Sequence, residues 1–275
     1  MKTLKISALA LSALLAAGSA HAVVASWDYT VSSAWNLSSV EFEGSSHVSK
    51  TASTLSWGLP VQGTIPSSLT INGSGAAAPG HVIAGNVQTY LGLIPPQHAP
   101  YLGQSTSLTH HNSPIYANTG SLLSATLQNT VVLTTNPGNF ALPAQTIDFA
   151  IRFFETPNVN GQCPAASPAN NPCNDIFVLT DGLMNHHFDF DGDRYYVNIF
   201  PTTGGVLSQL ENAACSAAGA DPGCIGFTTQ ENKETTLSFG FTISTLPQQQ
   251  VPEPATLALV GLGLAATALR RRKQS

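Results

Sequence analysis

The feature that most constrains the fold is a two-residue alternation of apolar and polar side chains. In TIDFAIRFFE, every second residue from Ile147 to Phe153 is apolar, and the intervening residues are mostly polar or small. Residues 237–243 (LSFGFTI) repeat this pattern. Because successive side chains of an extended strand point to opposite faces, the pattern predicts antiparallel strands that are buried on one side.

Other segments support the same fold class. Strand character is also present in residues 26–33, 51–57, 122–134, 175–180 and 195–200. Helical character is limited to residues 205–214 (GVLSQLENAA) in the part of the chain between the two termini. Short strands separated by Asn, Gly and Pro turns predict an all-β single domain over residues 23–248, built as an antiparallel β-sandwich or jelly roll.

The N-terminus predicts a secretory signal peptide over residues 1–22. Lys2 and Lys5 precede an apolar run over residues 6–17, and small residues lead up to Ala22. The apolar run is shorter than the roughly 20 residues of a spanning helix. We therefore expect export through the Sec machinery and cleavage after Ala22; a retained N-terminal anchor is the alternative.

The C-terminal segment, residues 249–275, has three ordered parts. They are Pro252-Glu253-Pro254, an uncharged apolar stretch over residues 255–269, and the basic cluster Arg270, Arg271, Arg272 and Lys273. The cations stay on the cytoplasmic side because moving them across a membrane is costly. As a helix the apolar stretch is about 22 Å long, shorter than the ~30 Å hydrocarbon core, which favours a transient anchor.

This tail resembles the PEP-CTERM sorting signal of exported proteins from Gram-negative bacteria that make exopolysaccharide. The resemblance implies recognition by exosortase and cleavage near Pro252-Glu253-Pro254. It also implies transient inner-membrane anchoring by residues 255–269 and a final location on the cell surface or in the extracellular matrix. An ordinary single-pass tail anchor is the alternative interpretation.

Charge excludes two classes of partner. The whole chain has a formal net charge of −5, but residues 23–248 carry four basic side chains against 14 carboxylates, a net charge of −10. Nucleic acids and anionic lipids are bound through cationic surfaces, so neither is expected as a partner of the exported part.

Four cysteines lie in the exported part: Cys163, Cys173, Cys215 and Cys224. An even number in an oxidising compartment predicts two disulfides, with three connectivities. We favour the two local pairs because each pair brackets a turn-rich stretch. Zinc binding is the alternative, but the gaps within the pairs do not match a C-x-x-C pattern.

HHFDFDGDRYYVNIF permits two interpretations. Asp191-Gly192 lies between two strand-like runs and predicts a tight hairpin. Alternatively, Asp189, Asp191 and Asp193 resemble the start of a calcium-binding loop. The loop's glutamate is missing, because Phe200 occupies that position, so the hairpin is favoured.

The tetrapeptide THHN, residues 109–112, is the third unusual feature. Adjacent strand residues face opposite sides, so only one of His110 and His111 can point into a shared site. The sequence has no H-E-x-x-H, no G-x-S-x-G and no Gly-rich phosphate loop. We predict a structural role, in which the histidine and Asn112 bind backbone groups where a strand leaves the sheet.

Thr109, His110 and Asn112 resemble the signature of the THxN family of PEP-CTERM proteins. DIFVL, GFTTQE and the paired cysteines are consistent with that family. The family has no established activity, so the resemblance implies no reaction.

These observations predict a non-enzymatic exported protein with a structural or adhesive role in exopolysaccharide or biofilm matrix. A carbohydrate-binding module is the alternative, with a structural calcium and with sugars stacked on Trp27, Trp35, Trp57, Tyr195 and Tyr196. A metal-dependent hydrolase that uses His110 with the carboxylates from Asp181 to Asp193 is a third hypothesis.

Overall fold

The computed structural model describes most of the exported part of the chain. It covers residues 23–63, 65–72, 81–96, 98–158, 163–168, 171–181, 184–202 and 208–248. The predicted signal peptide with Ala22, and the sorting segment with residues 252–254, 255–269 and 270–272, lie outside these ranges. Within them, no helix combines the length and the apolar composition needed to cross a bilayer.

The described chain contains fifteen strands and one short helix. The elements are β1 (Ser26–Trp35), β2 (Glu41–Glu43), β3 (Val48–Lys50), β4 (Thr54–Trp57), β5 (Ser67–Asn72), β6 (His81–Tyr90), β7 (Gly103–Asn112), β8 (Ser121–Asn136), β9 (Gln145–Phe154), β10 (Asp175–Asp181), β11 (His186–Phe190), β12 (Asp193–Pro201), β13 (Ser208–Gln209), α1 (Asn212–Ala217), β14 (Ile225–Thr229) and β15 (Lys233–Ser244). The all-β prediction is confirmed.

The strands form one hydrogen-bonded path, open at both ends, in the order β13-β14-β10-β9-β8-β1-β6-β15-β7-β5-β4-β3. β2 pairs with β8, and the β11–β12 hairpin joins through β12 to β15. The described pairs are antiparallel except for a short parallel contact between β6 and β15. The jelly-roll form of the prediction stays a prediction.

The β6–β15 contact divides the sheet into two halves whose apolar faces share one core. Trp57 of β4 packs edge-on against Phe153 of β9, with ring centroids 4.9 Å apart. Trp27 of β1 packs edge-on against Tyr195 of β12 at 5.1 Å. The alternation in β9 places Ile147, Phe149, Ile151 and Phe153 in this core, as the sequence predicts.

Both disulfides form with the predicted local pairing. Cys163 is bonded to Cys173, and Cys215 to Cys224. Residues 205–207 of the predicted helical segment lie outside the described ranges, and Ser208–Gln209 form β13. The helix α1 covers Asn212–Ala217. Its position follows from burial, since Ala214 and the disulfide-bonded Cys215 are the residues of α1 that face the interior.

Candidate metal centre

Three carboxylates that are distant in sequence converge at one end of the β14-β10-β9 part of the sheet. Glu155 follows β9, Asp175 begins β10, and Glu231 lies in the turn after β14. Because both strand pairs are antiparallel, the end of β9, the start of β10 and the end of β14 are neighbours. One carboxylate oxygen from each residue lies within 4.8 Å of the other two.

Burial makes this cluster electrostatically unusual. Asp175 is 0% exposed and Glu231 is 2% exposed, whereas Glu155 is partly buried. Burial raises the pKa of Glu231 to about 7. Burial also raises the pKa of Glu155 to about 8; a hydrogen bond from Trp57 opposes this rise, and the charge of Glu231 adds to it.

The pKa of Asp175 is also well above its usual range. Burial is the largest cause, followed by repulsion from Glu155 and from Glu231, while hydrogen bonds from Thr156 oppose the rise. Like charges this close inside a protein cannot all remain ionised without compensation. The cluster therefore binds either protons or a cation.

Only part of the hydrogen-bonding capacity of the three carboxylates is used. The Thr156 backbone N–H donates to Asp175 Oδ1 at 2.8 Å, and the Trp57 indole N–H donates to Glu155 Oε2 at 2.8 Å. The other four carboxylate oxygens, Asp175 Oδ2, Glu155 Oε1 and both oxygens of Glu231, are buried without a hydrogen-bond partner in the described part of the chain. Leaving such atoms unpaired is costly.

The two arginines of the described ranges bind elsewhere. Arg152 donates to the carbonyl oxygen of Gly219, and Arg194 pairs with Asp189. Across the described ranges, neither of the ion pairs found involves a member of the carboxylate cluster. Among the described residues, therefore, no ion pair neutralises these three acids.

The THxN residues lie next to this cluster, on β7. His110 is 1% exposed and Asn112 is 0% exposed, and both side chains face the interior. His110 Nδ1 lies 2.8 Å from Thr229 Oγ1, and Asn112 Nδ2 donates to the Thr229 carbonyl oxygen at 3.2 Å. Thr229 ends β14, two residues before Glu231, so the motif fixes the strand end that carries this acid.

A second connection runs through Trp57. The His110 ring stacks on Trp57 with centroids 5.6 Å apart and an interplanar angle of 13°. Trp57 in turn holds Glu155 through its indole N–H. Burial, with a smaller contribution from His111, lowers the pKa of His110 to about 3, so its imidazole is neutral at physiological pH.

The other two residues of the tetrapeptide face outward. Thr109 Oγ1 lies 2.8 Å from Thr236 Oγ1 and accepts a hydrogen bond from Asn72. His111 Nδ1 lies 3.3 Å from a carboxylate oxygen of Glu234, near the surface. The strand thus separates the two histidines as its alternation predicts.

The hairpin prediction is confirmed around Asp191-Gly192. Both residues have positive φ, 50° and 84°, as a tight two-residue turn between β11 and β12 requires. The Arg194 guanidinium donates to both oxygens of Asp189, at 2.8 and 3.1 Å, because the two residues are opposite each other in the hairpin.

The hairpin does not bring Asp189, Asp191 and Asp193 together as calcium ligands. The three lie on one strand, in the turn and on the other strand, and Asp189 is already paired with Arg194. In the described ranges, the acidic group with ligand spacing is Glu155, Asp175 and Glu231 instead.

Two other hypotheses place chemistry on side chains that lie in the interior. Of the five aromatics expected to stack on sugars, Trp27, Trp35, Trp57 and Tyr195 are core residues with at most 3% exposure. For the hydrolase hypothesis, His110 contacts Trp57, Phe153 and Thr229, not the hairpin carboxylates.

Sequence reasoning missed all three members of the cluster. A usable signal existed, because each acid adjoins an apolar strand-like run: Glu155 follows IRFF, Asp175 begins DIFVL, and Glu231 ends GFTTQE. Acids at strand ends are common, however, and only the order of β14, β10 and β9 brings these three together.

Residues 250–273 match the PEP-CTERM protein-sorting motif. No curated protein matches the chain. The motif indicates an exported, surface-localised protein that is processed by exosortase.

Proposed function

We propose that the exported domain is a non-catalytic structural or adhesive protein of the cell surface or the exopolysaccharide matrix. We also propose that it belongs to the THxN group, and that the signature residues Thr109, His110 and Asn112 act in its architecture. The sorting motif supports the location, because exosortase processing delivers proteins to the cell surface.

The observation that carries the proposal is the burial of His110. His110 is 1% exposed, lies between Trp57 and Phe153, and is held by Thr229. A catalytic base must reach a proton of the substrate. The neutral, enclosed imidazole of His110 and the aromatic core around it favour an architectural role.

The test uses a deletion strain of the source bacterium, complemented with the wild-type gene or with a Pro252→Ala/Glu253→Ala/Pro254→Ala variant. We expect the wild-type protein in the surface or matrix fraction, with a C-terminus that lacks Arg270–Lys273 by mass spectrometry. The variant should stay in the membrane fraction and should not restore matrix cohesion.

A second measurement distinguishes this role from an enzymatic one. Purified exported protein added to matrix from the deletion strain should restore cohesion without changing the length of the polysaccharide chains. Shortening of those chains over time would contradict the proposal.

A further inference from the structure

We propose that Glu155, Asp175 and Glu231 form a buried calcium site that fastens three strand ends together after export. The three residues come from the end of β9, the start of β10 and the turn after β14. Their nearest oxygens lie within 4.8 Å of one another. Two oxygens on opposite sides of a calcium ion are about 5 Å apart, so one ion can contact all three residues.

The unpaired atoms of Glu231 are an independent indication of a ligand. Its carboxylate is 2% exposed, neither of its oxygens has a hydrogen-bond partner, and one of them faces oxygens of Glu155 and Asp175. Asp175 Oδ2 and Glu155 Oε1 are also unpartnered. A single calcium ion can contact one oxygen of each acid, and its two positive charges offset two of the three negative charges.

The donor atoms favour a hard cation. All three side chains offer carboxylate oxygen, and His110 is not a member of the group with ligand spacing. Asn112 also has a buried Oδ1 without a partner, while its Nδ2 donates to the carbonyl oxygen of Thr229, two residues before Glu231. Calcium takes six to eight oxygens at about 2.3–2.6 Å, whereas zinc prefers nitrogen and sulfur.

The location of the protein fits this ion. Calcium sites of extracellular modules have dissociation constants on the order of 10⁻⁴–10⁻³ M. A site of this affinity would fill outside the cell, so the strands β9, β10 and β14 would become fastened only after export. This goes beyond the proposed matrix role, which requires no metal.

Trp57 provides a direct readout. Because its indole N–H donates to Glu155 at 2.8 Å, Trp57 lies within energy-transfer distance of an ion in the cluster. Terbium(III) has the same preference for oxygen ligands and luminesces when a neighbouring tryptophan is excited. We expect terbium to luminesce in the calcium-free exported protein. Calcium chloride should displace the terbium and remove the luminescence, and the Trp57→Phe variant should not show it.

The quantitative test combines calorimetric titration with thermal unfolding of the exported protein after dialysis against a chelator at pH 8. We expect one calcium ion per chain and a rise in Tm of about 5–10 °C at a hundredfold excess over Kd. Magnesium chloride should give a weaker effect. Glu231→Gln should reduce calcium affinity at least tenfold, and the matched hairpin variant Asp189→Asn should bind as the wild type does.

Three results would overturn the proposal. They are no calcium binding by the wild type at pH 8, equal affinities of wild type and Glu231→Gln, or loss of binding in Asp189→Asn. If Glu231→Gln does not fold, terbium luminescence of the wild type and of Trp57→Phe decides: absent luminescence, or equal luminescence in both, rejects the site. Absence of calcium binding would not affect the result for matrix cohesion, which tests the proposed function separately.

Discussion

Two acidic regions of this protein have opposite sequence and structural properties. The hairpin acids Asp189, Asp191 and Asp193 are close together in the sequence, but they lie near the surface, with Asp189 paired to Arg194. Glu155, Asp175 and Glu231 are far apart in the sequence but meet in the interior, and no ion pair of the described residues involves them. Spacing in the chain therefore says less about a metal site than the burial and convergence of the oxygens.

The largest expected difference is between His110 and Asn112, which lie beside the buried cluster, and the histidine pair His186 and His187 of the hairpin. His110→Ala/Asn112→Ala removes a buried ring stacked on Trp57 and both contacts to Thr229. We expect a loss of on the order of 4 kcal/mol in the free energy of unfolding, measured by urea denaturation.

The matched control is His186→Ala/His187→Ala in the hairpin, where one histidine is exposed and the other is partly buried. Its expected cost is about 1 kcal/mol or less. Equal losses in the two double variants would mean that the THxN residues have no special architectural role.

The second prediction is that the contributions of the two regions to stability change with pH in opposite directions. A carboxyl whose folded pKa is above its unfolded value stabilises the fold while protonated; this contribution is complete below the unfolded pKa of 4.5 and is lost as pH rises through the folded value. For Glu231, the rise to about 7 corresponds to on the order of 3 kcal/mol. Without metal, Tm should fall between pH 5 and pH 8.

Asp189 behaves in the opposite way. The hydrogen bond from Arg194 lowers its pKa below 3.8, so its contribution is present above that pH and is lost as the solution becomes more acidic. In chelator, Glu231→Gln should flatten the decline in Tm between pH 5 and pH 8, whereas Asp189→Asn should leave it unchanged. If Tm still declines between pH 5 and pH 8 in Glu231→Gln, the decline arises from other groups, such as Glu155 or Asp175.

The third prediction compares single aspartates at pH 5, below the pKa values of about 8 for Glu155 and about 7 for Glu231, where repulsion within the cluster is reduced. Asp175→Ala leaves the buried Thr156 N–H without its acceptor, and we expect a loss of about 2 kcal/mol. Asp189→Ala at the surface should cost much less. Chemical denaturation of both variants measures the loss in the free energy of unfolding. Similar losses in the two variants would contradict the assignment of Asp175 to the interior.

The smallest effect belongs to the hairpin ion pair itself. Exposed pairs contribute about 0.2–1 kcal/mol, and salt screens them. A double-mutant cycle of Asp189→Ala and Arg194→Ala should therefore give a small coupling energy that decreases in concentrated salt. A coupling that is larger and insensitive to salt would show that the pair is not a surface contact.

Local patterns were sufficient to predict many of the strands and the hairpin, whereas β5 and β6 had no strand prediction. Alternation of side chains identified the buried face of β9, and Asp191-Gly192 identified the turn. In the second half of β15 the expected one-sided burial is wrong, because Thr242 is buried together with Phe241 and Ile243. The disulfide pairing followed from the short turn-rich segments that the cysteines bracket. Each of these features depends on interactions between residues that are close in sequence.

The carboxylate cluster depends on long-range strand order. Asp175 pairs with Thr229 across β10 and β14, and Ile176 pairs with Phe154 across β10 and β9. No spacing in the sequence specifies that these three strands are neighbours. The inward orientation of His110 and Asn112 is predictable from strand alternation, but their partner Thr229, on β14, is not.

The position of β15 has a mechanical consequence for a protein that is sorted by its C-terminus. This last described strand, Lys233–Ser244, lies between β7 and β12, not at an edge, and the sorting motif begins soon after it at residue 250. The hydrogen bonds of antiparallel strands run perpendicular to the strand direction. Tension applied through the tail would therefore load the bonds to both neighbours in shear, so that they must break together and not one after another.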